Sequence, residues 1–220
     1  MFISDGDQRA LERKLGQGMK DPVTLLVFVD DSGTSKELVD FANSIAPFSD
    51  KIKVDIQQAD MGKNQKMKDL RLERWPIMVL QKDGFSRIRY YGFPGGYEFP
   101  AIVDAIAELS NSSTPLSPKA KEALSKVRRK ANIKVFVLTT CPFCPTVARH
   151  AYRAAIDSPM VTAEIIDSSV FLDLAARHTV MGVPKMILNE NTDITGAVDE
   201  LAFFEKLREA DHALIDSMFG

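Results

Sequence analysis

Cys141-Pro142-Phe143-Cys144 constrains this chain more than any other stretch. These are its only two cysteines, and two residues separate them. Before them, Ile133-Lys134-Val135-Phe136-Val137-Leu138 is apolar and β-branched and reads as a buried strand. After them, residues 145–155 have helical composition. A CxxC between a strand and a helix, with no other cysteine available, reads as a redox dithiol. The first cysteine falls near a helix N-terminus, where unpaired N–H groups and the helix dipole favour negative charge. That favours the thiolate, the form that attacks a disulfide. The second cysteine, one turn later, is placed to displace a mixed disulfide. Pro142 suits a first helical turn, because its missing N–H would lack a partner there. Pro145 removes one more early donor.

Other uses of two cysteines fit less well. A zinc site takes about four ligands, and the chain adds only three scattered histidines, His150, His178 and His212. A metal would have to be shared across a dimer, so no metal ligands and no cofactor are assigned. A structural disulfide across so short a loop would restrict the unfolded chain little.

The chain's 220 residues suit one large domain or two of about 110. A hydrophobic content of 45% and a charged content of 26% are those of a globular chain. A net charge of −2 and a pI near 6.0 suggest neither a nucleic-acid nor an anionic-membrane partner. No apolar run approaches membrane-spanning length. Residues 1–7 show no basic n-region and no apolar h-region, so no secretory leader is expected. Two cysteines in so long a chain make no secreted disulfide scaffold, and the expected compartment is the reducing cytoplasm.

The elements run in two series. Residues 7–19 read as a short amphipathic helix carrying Leu11, Leu15 and Met19. There follow a strand over 23–29, a helix over 36–45, a strand over 51–56, a polar helix over 61–73 and a strand over 75–80. Lys82-Asp83-Gly84 marks a hairpin turn into a strand over 87–92, and a helix spans 99–109. Residues 110–118, rich in Ser, Asn and Pro, form a linker. The series then restarts: helix 118–130, strand 133–138, CPFC, helix, strand 161–166, helix 169–178, strand 183–188, a turn at 189–193 and a helix over 201–218.

Spacing supports a repeat. Cys141 lies 43 residues before Pro184, and Ser32 lies 44 before Pro76. Ser32-Gly33-Thr34-Ser35 therefore occupies the CxxC position of the first copy. A hydroxyl forms no disulfide, so the first copy, residues 1–115, is expected to be redox-silent, and the second, 116–220, active. Each copy is read as an α/β fold with a mixed central sheet flanked by helices. Pro76 and Pro184 each open a strand, which a proline tolerates only at its first residue. The layout places Pro184 opposite the dithiol behind a cis bond, with the Val183 backbone free to pair with an extended substrate segment. Val183, Pro184, Pro142 and Phe143 are the expected substrate-binding residues.

CPFC, Val-Met-Gly-Val-Pro over 180–184, the tandem repeat and Gly95-Gly96-Tyr97-Glu98-Phe99 together resemble the glutaredoxin-like protein disulfide oxidoreductases of archaea and thermophilic bacteria. The resemblance implies two tandem thioredoxin-like folds in one chain. The lost first CxxC departs from the two-site members and removes the basis for an isomerase with two dithiols. The chain is also similar to the N-terminal domain of the alkyl hydroperoxide reductase flavoprotein, which has one active CxxC in its second fold. That similarity implies a relay from a separate, thioredoxin-reductase-like donor to protein disulfides, a peroxiredoxin among them. It also implies that Glu98 brings an acid towards the second fold's dithiol, since the strand before CPFC holds none.

The reading is therefore a protein disulfide oxidoreductase. Cys141 attacks, Cys144 resolves, and Glu98 exchanges the proton. The plain alternative for Glu98 is an acid favoured by the dipole at the start of helix 99–109. The alternative for the whole protein is a non-enzymatic adaptor or chaperone-like binder with exposed apolar residues near Trp75, Phe93 and Phe143.

Overall fold

A computed structural model describes residues 5–219. Residues 1–4 of the segment read for a leader lie outside the described residues, as does the side chain of His212. Eight strands form one mixed sheet: β1 (Val23–Val29), β2 (Ile52–Gln58), β3 (Ile77–Lys82), β4 (Phe85–Tyr91), β5 (Ala131–Val137), β6 (Val161–Asp167), β7 (Lys185–Leu188) and β8 (Thr192–Thr195). Their order is β2-β1-β3-β4-β6-β5-β7-β8. Each half has a parallel pair, β1/β2 or β5/β6, followed by two antiparallel pairings. The structure is two tandem thioredoxin-like folds in which the two mixed sheets have become one. The join is the parallel pairing of β4 with β6, from Ile88 opposite Ala163 to Tyr91 opposite Ile166. Two edges that would otherwise expose unpaired N–H and C=O groups cover each other.

Strand residues alternate between two cores because successive side chains point to opposite faces. Leu25, Val27, Tyr90, Val135 and Val137 face one core. It is closed by helices α1 (Asp5–Leu11), α2 (Gly33–Ile45), α4 (Phe99–Asn111), α5 (Pro118–Ser125), α6 (Cys144–Asp157) and α8 (Glu200–Phe219). Leu26, Phe28, Tyr91, Phe136 and Ile166 face the other, under the short helices α3 (Gln65–Leu70) and α7 (Leu172–Arg177). With both faces covered, central strands such as Val23–Val29 are apolar nearly throughout, as their sequence indicates.

Several boundaries differ from the sequence expectation. The opening helix passes into a π turn over Glu12–Gly16, yet Leu11, Leu15 and Met19 are all buried as their spacing predicts. α3 is six residues rather than thirteen: Asn64 caps it by accepting from the Met67 N–H, and Arg71 ends it in the left-handed region. α5 stops at Ser125 and α7 at Arg177, so the helical readings of 118–130 and 169–178 were too long. Residues 189–193 do not end at a turn. They lead into β8, a polar edge strand whose alternation is too short to read from sequence and whose place is set by pairing with β7.

Ion pairs join the halves beside the sheet. Arg153 of α6 donates to both carboxylate oxygens of Glu108 of α4, at 2.8–3.1 Å, with both side chains mostly buried. Arg149 Nε donates to Asp104 at 2.8 Å, and Lys14 pairs with the same carboxylate. Removing one member of a buried bidentate pair leaves the other charge without compensation. Arg153→Ala is therefore expected to lower unfolding free energy by about 2 kcal/mol, with Arg153→Leu/Glu108→Leu recovering most of it. Equilibrium urea unfolding reads both, and an unchanged Arg153→Ala midpoint would show that the pair adds nothing.

Candidate active site

Cys141 and Cys144 are joined as a disulfide with Cα atoms 5.6 Å apart. α6 begins at Cys144, with Phe143 at its N-cap position and Pro145 in its first turn. Pro142 therefore lies before the helix and not in its first turn, which corrects the sequence reading. Pro145 alone holds that place. Cys141 sits just outside the helix mouth, where the Cys144 N–H donates to its Sγ at 3.2 Å. That donor and the helix dipole both favour negative charge on this sulfur. Cys141 keeps 9% exposure and Cys144 none.

Two further segments close on the dithiol. The Val183–Pro184 peptide bond is cis, and the Val183 carbonyl oxygen lies 3.8 Å from Cys141 Sγ. Pro142 and Phe143, between the two cysteines, are exposed, Phe143 by 64%. The second segment comes from the first fold. The Tyr97 N–H donates to the Thr139 carbonyl at 2.9 Å, two residues before Cys141. Gly96 is left-handed here, and a Cβ on it would run into that same carbonyl, so the close approach requires glycine.

The next residue, Glu98, is fully buried, and neither of its carboxyl oxygens has a hydrogen-bond partner. Although Glu98 occupies the N-cap position of α4, its side chain makes no cap bond. Its position at the helix start still allows a favourable dipole, the alternative reading of this acid. Burial pushes its carboxyl up to about 8, against a lowering influence from Arg149 and with a further upward one from Asp167. The hydroxyls of Tyr90 and Tyr152, both buried and unpartnered, lie within electrostatic reach of it. Asp167, at the end of β6 opposite Val137, was not singled out by sequence reasoning. Its only signal is an acid directly following the apolar run Ile165-Ile166.

The equivalent site in the first fold is closed by hydrogen bonds. Ser32 caps α2, accepting from the Ser35 N–H, and its hydroxyl donates to Ser35 Oγ at 3.1 Å. Ser35 Oγ donates to Asp30 at 2.6 Å, and Trp75 Nε1 donates to the other Asp30 oxygen at 3.2 Å. The Trp75–Pro76 bond is cis, as at the active pair. Hydrogen bonds from Ser32 and Ser35 hold the Asp30 carboxyl down to about 2. Trp75 is half-buried, and Phe93 packs edge-on against Phe41 at 6.1 Å. Of the three positions named for an adaptor surface, only Phe143 is exposed. Among the described residues no cluster of three or more His, Cys, Asp or Glu side chains could hold a metal. His150 instead packs against Phe203 and Phe204.

The comparisons with known proteins agree with this geometry. A thioredoxin-domain model matches residues 131–209. The alkyl hydroperoxide reductase AhpF of Xanthomonas campestris pv. phaseoli is 27% identical over 169 residues, which are 76% of this chain and 30% of that protein. The chain thus spans about a third of the length of the curated relatives it matches. A solved structure of the Enterococcus faecalis (V583) alkylhydroperoxide reductase AhpF superimposes with a TM-score of 0.87 at 28% identity, covering 94% of this chain and all of that one. A protein disulfide oxidoreductase from Aeropyrum pernix K1 shares the fold, with a TM-score of 0.85 over 97% of this chain and 95% of its own, at 24% identity. Fold and dithiol together define a disulfide oxidoreductase of the thioredoxin-like class. Within that class the chain is similar, in sequence and in fold, to the N-terminal part of the alkyl hydroperoxide reductase AhpF.

The silent site carries its own reporter, since Trp75 is the chain's only tryptophan. A carboxyl held low in the folded state adds stability that is present above its unfolded value and lost as pH falls through its folded value. Asp30 should therefore contribute above about pH 4 and cease to contribute towards pH 2. Asp30→Asn is expected to shift Trp75 emission at neutral pH and to flatten stability over that acid range. Identical emission in the two proteins would mean that the indole does not sense Asp30.

Proposed function

We propose that this protein reduces protein disulfides through Cys141 and Cys144 and relays electrons from a thioredoxin-reductase-like donor to a peroxiredoxin. The observation that carries the reading is the asymmetry of the pair. One sulfur is at the helix mouth, beside a backbone donor and the Val183 carbonyl, and the other is sealed inside. The names of the relatives support the peroxide-linked role. Residues 1–115 form the silent fold and residues 116–220 the active one, and a reducing cytoplasm is the compartment in which the couple works.

The Cys141 thiolate attacks one sulfur of the substrate disulfide, and the other sulfur leaves as a thiolate that takes a proton. Cys144 then gives up its proton and attacks Cys141 Sγ, which frees the second substrate thiolate and leaves the Cys141–Cys144 disulfide. Two electrons from the donor restore the dithiol. Val183 and Pro184 align the substrate segment beside Cys141, with Pro142 and Phe143 exposed between the two cysteines. Glu98, whose carboxyl is pushed up to about 8, takes the proton of Cys144 in its ionised form and returns it as the acid. Ser32 and Ser35 take no part in exchange.

Insulin reduction by dithiothreitol should be accelerated by the wild type and remain at background with Cys141→Ser. Cys144→Ser should accumulate mixed disulfides with its partners. Wild-type rates at background would favour the non-enzymatic adaptor.

Glu98 gives a separate test. Its raised pKa means that the folded chain keeps a proton that the unfolded chain has released. Stability should therefore fall as pH rises from about 4.5 to about 8 and level off above that. Glu98→Gln should lose most of that slope, a difference on the order of a few kcal/mol, and should lower turnover roughly tenfold or more. A variant with the wild-type pH–rate profile would leave Glu98 with a structural role only.

A further inference from the structure

Three segments meet at the rim of the dithiol, and each carries an exposed apolar side chain. Phe143 lies between the two cysteines and is 64% exposed. Tyr97 is 55% exposed, and its backbone N–H is bonded to Thr139. Met181 is 91% exposed and stands two residues before Val183, whose carbonyl touches Cys141 Sγ. A protein that presents a disulfide to Cys141 must cover this rim, because the sulfur itself keeps only 9% exposure.

We infer that Met181 is a peroxide-sensitive modification site, and that its conversion to the sulfoxide weakens docking of the disulfide-bearing partner. The inference rests on the disulfide-reductase reading above. Of the other described methionines, Met19, Met67, Met78 and Met186 are buried, and Met61 and Met160 are 46% and 38% exposed. Met181 is the most open thioether among them, and the one carried by the segment that reaches Cys141 through Val183. The segment that carries it is fixed at both ends. The Val180 N–H is bonded to the Ala175 carbonyl, and Pro184 is buried. Met181 is thus presented on an anchored loop.

The chemistry needs only hydrogen peroxide. A sulfur lone pair attacks one peroxide oxygen, and the O–O bond breaks. The proton on the transferred oxygen passes to the departing hydroxide, giving one sulfoxide and one water. Sulfur is oxidised by two electrons and peroxide is reduced. The product replaces a flexible apolar side chain with a polar one. Covering that new dipole with an apolar partner surface removes it from water without a paired bond. The Cys141–Cys144 chemistry is untouched, so the effect belongs to docking and not to turnover.

The test treats the disulfide form, whose cysteines are protected, with hydrogen peroxide. Catalase then ends the reaction, and the added oxygen is located by peptide mass spectrometry. Insulin reduction is measured before and after. Met181 should convert several-fold faster than Met61 or Met160. KM for insulin should rise about five-fold or more with kcat little changed. Methionine sulfoxide reductase should restore the original KM. Met181→Leu, whatever its own starting KM, should show no change on the same treatment. Equal conversion of Met61 or Met160, an unchanged KM at full Met181 conversion, or an equal KM rise in Met181→Leu would each overturn the inference. Untreated wild type at the dithiothreitol background would instead overturn the reductase reading, and is scored separately.

Discussion

The parallel pairing of β4 with β6 is the interaction on which the rest depends. It closes two sheet edges at once and makes neighbours of α4 and α6, whose Glu108–Arg153 and Asp104–Arg149 pairs lie across the same seam. It also sets the site. Glu98 belongs to the first fold, yet the groups that influence it, Arg149 and Asp167, belong to the second. A carboxyl on the surface of an isolated first fold would be solvated and acidic. Here the seam withdraws it from water, and desolvation raises its pKa. On the proposed reading, the second fold thereby receives from the first an acid that its own strand before CPFC lacks.

The two halves set different groups at the CxxC position on one framework. Both have a helix N-terminus after a central strand and a cis-proline strand opposite it. In the second half the first-cysteine position receives one backbone N–H, and its sulfur is left to react. In the first, Ser32, Ser35, Asp30 and Trp75 satisfy one another. A hydroxyl among such partners is a cap and a structural link. The change from thiol to hydroxyl removes the redox chemistry while the fold continues to position its surroundings.

Much of this was legible because the signals were local or periodic. The strand–CxxC–helix order, the 43- and 44-residue spacings and the two strand-opening prolines specified two similar folds and where their sites lie. The burial of Leu11, Leu15 and Met19 followed from helical spacing alone. What was not legible was set by distant partners. β8 exists because β7 offers it an edge, and its four residues carry no pattern long enough to read. The merging of two sheets into one depends on which edges meet, which no alternation within β4 or β6 reveals. α3 ends early because Asn64 and Arg71 impose caps on a polar stretch whose composition would suit a longer helix. Pro142 was placed in the helix because prolines favour first turns, but Pro145 satisfies that preference three residues later. Asp167 went unmarked because its significance is its influence on Glu98, more than sixty residues away in the chain.

Burial keeps Glu98 protonated near neutrality, and the placement of Arg149 leaves that effect largely uncompensated. A guanidinium bonded to Glu98 would favour the carboxylate and return its pKa to the acid range. Arg149 does lower it, but its Nε is committed to Asp104 at 2.8 Å, and Lys14 shares that carboxylate. Asp104 thus draws this cation away from Glu98, while Asp167 adds a second negative charge that disfavours ionisation. Both oxygens of Glu98 are left without partners, a condition that costs stability wherever it occurs. A sequence under selection for stability alone would fill this position with an apolar side chain. A buried acid held between two folds, with the nearby cation bonded elsewhere, suits the proton exchange proposed for it.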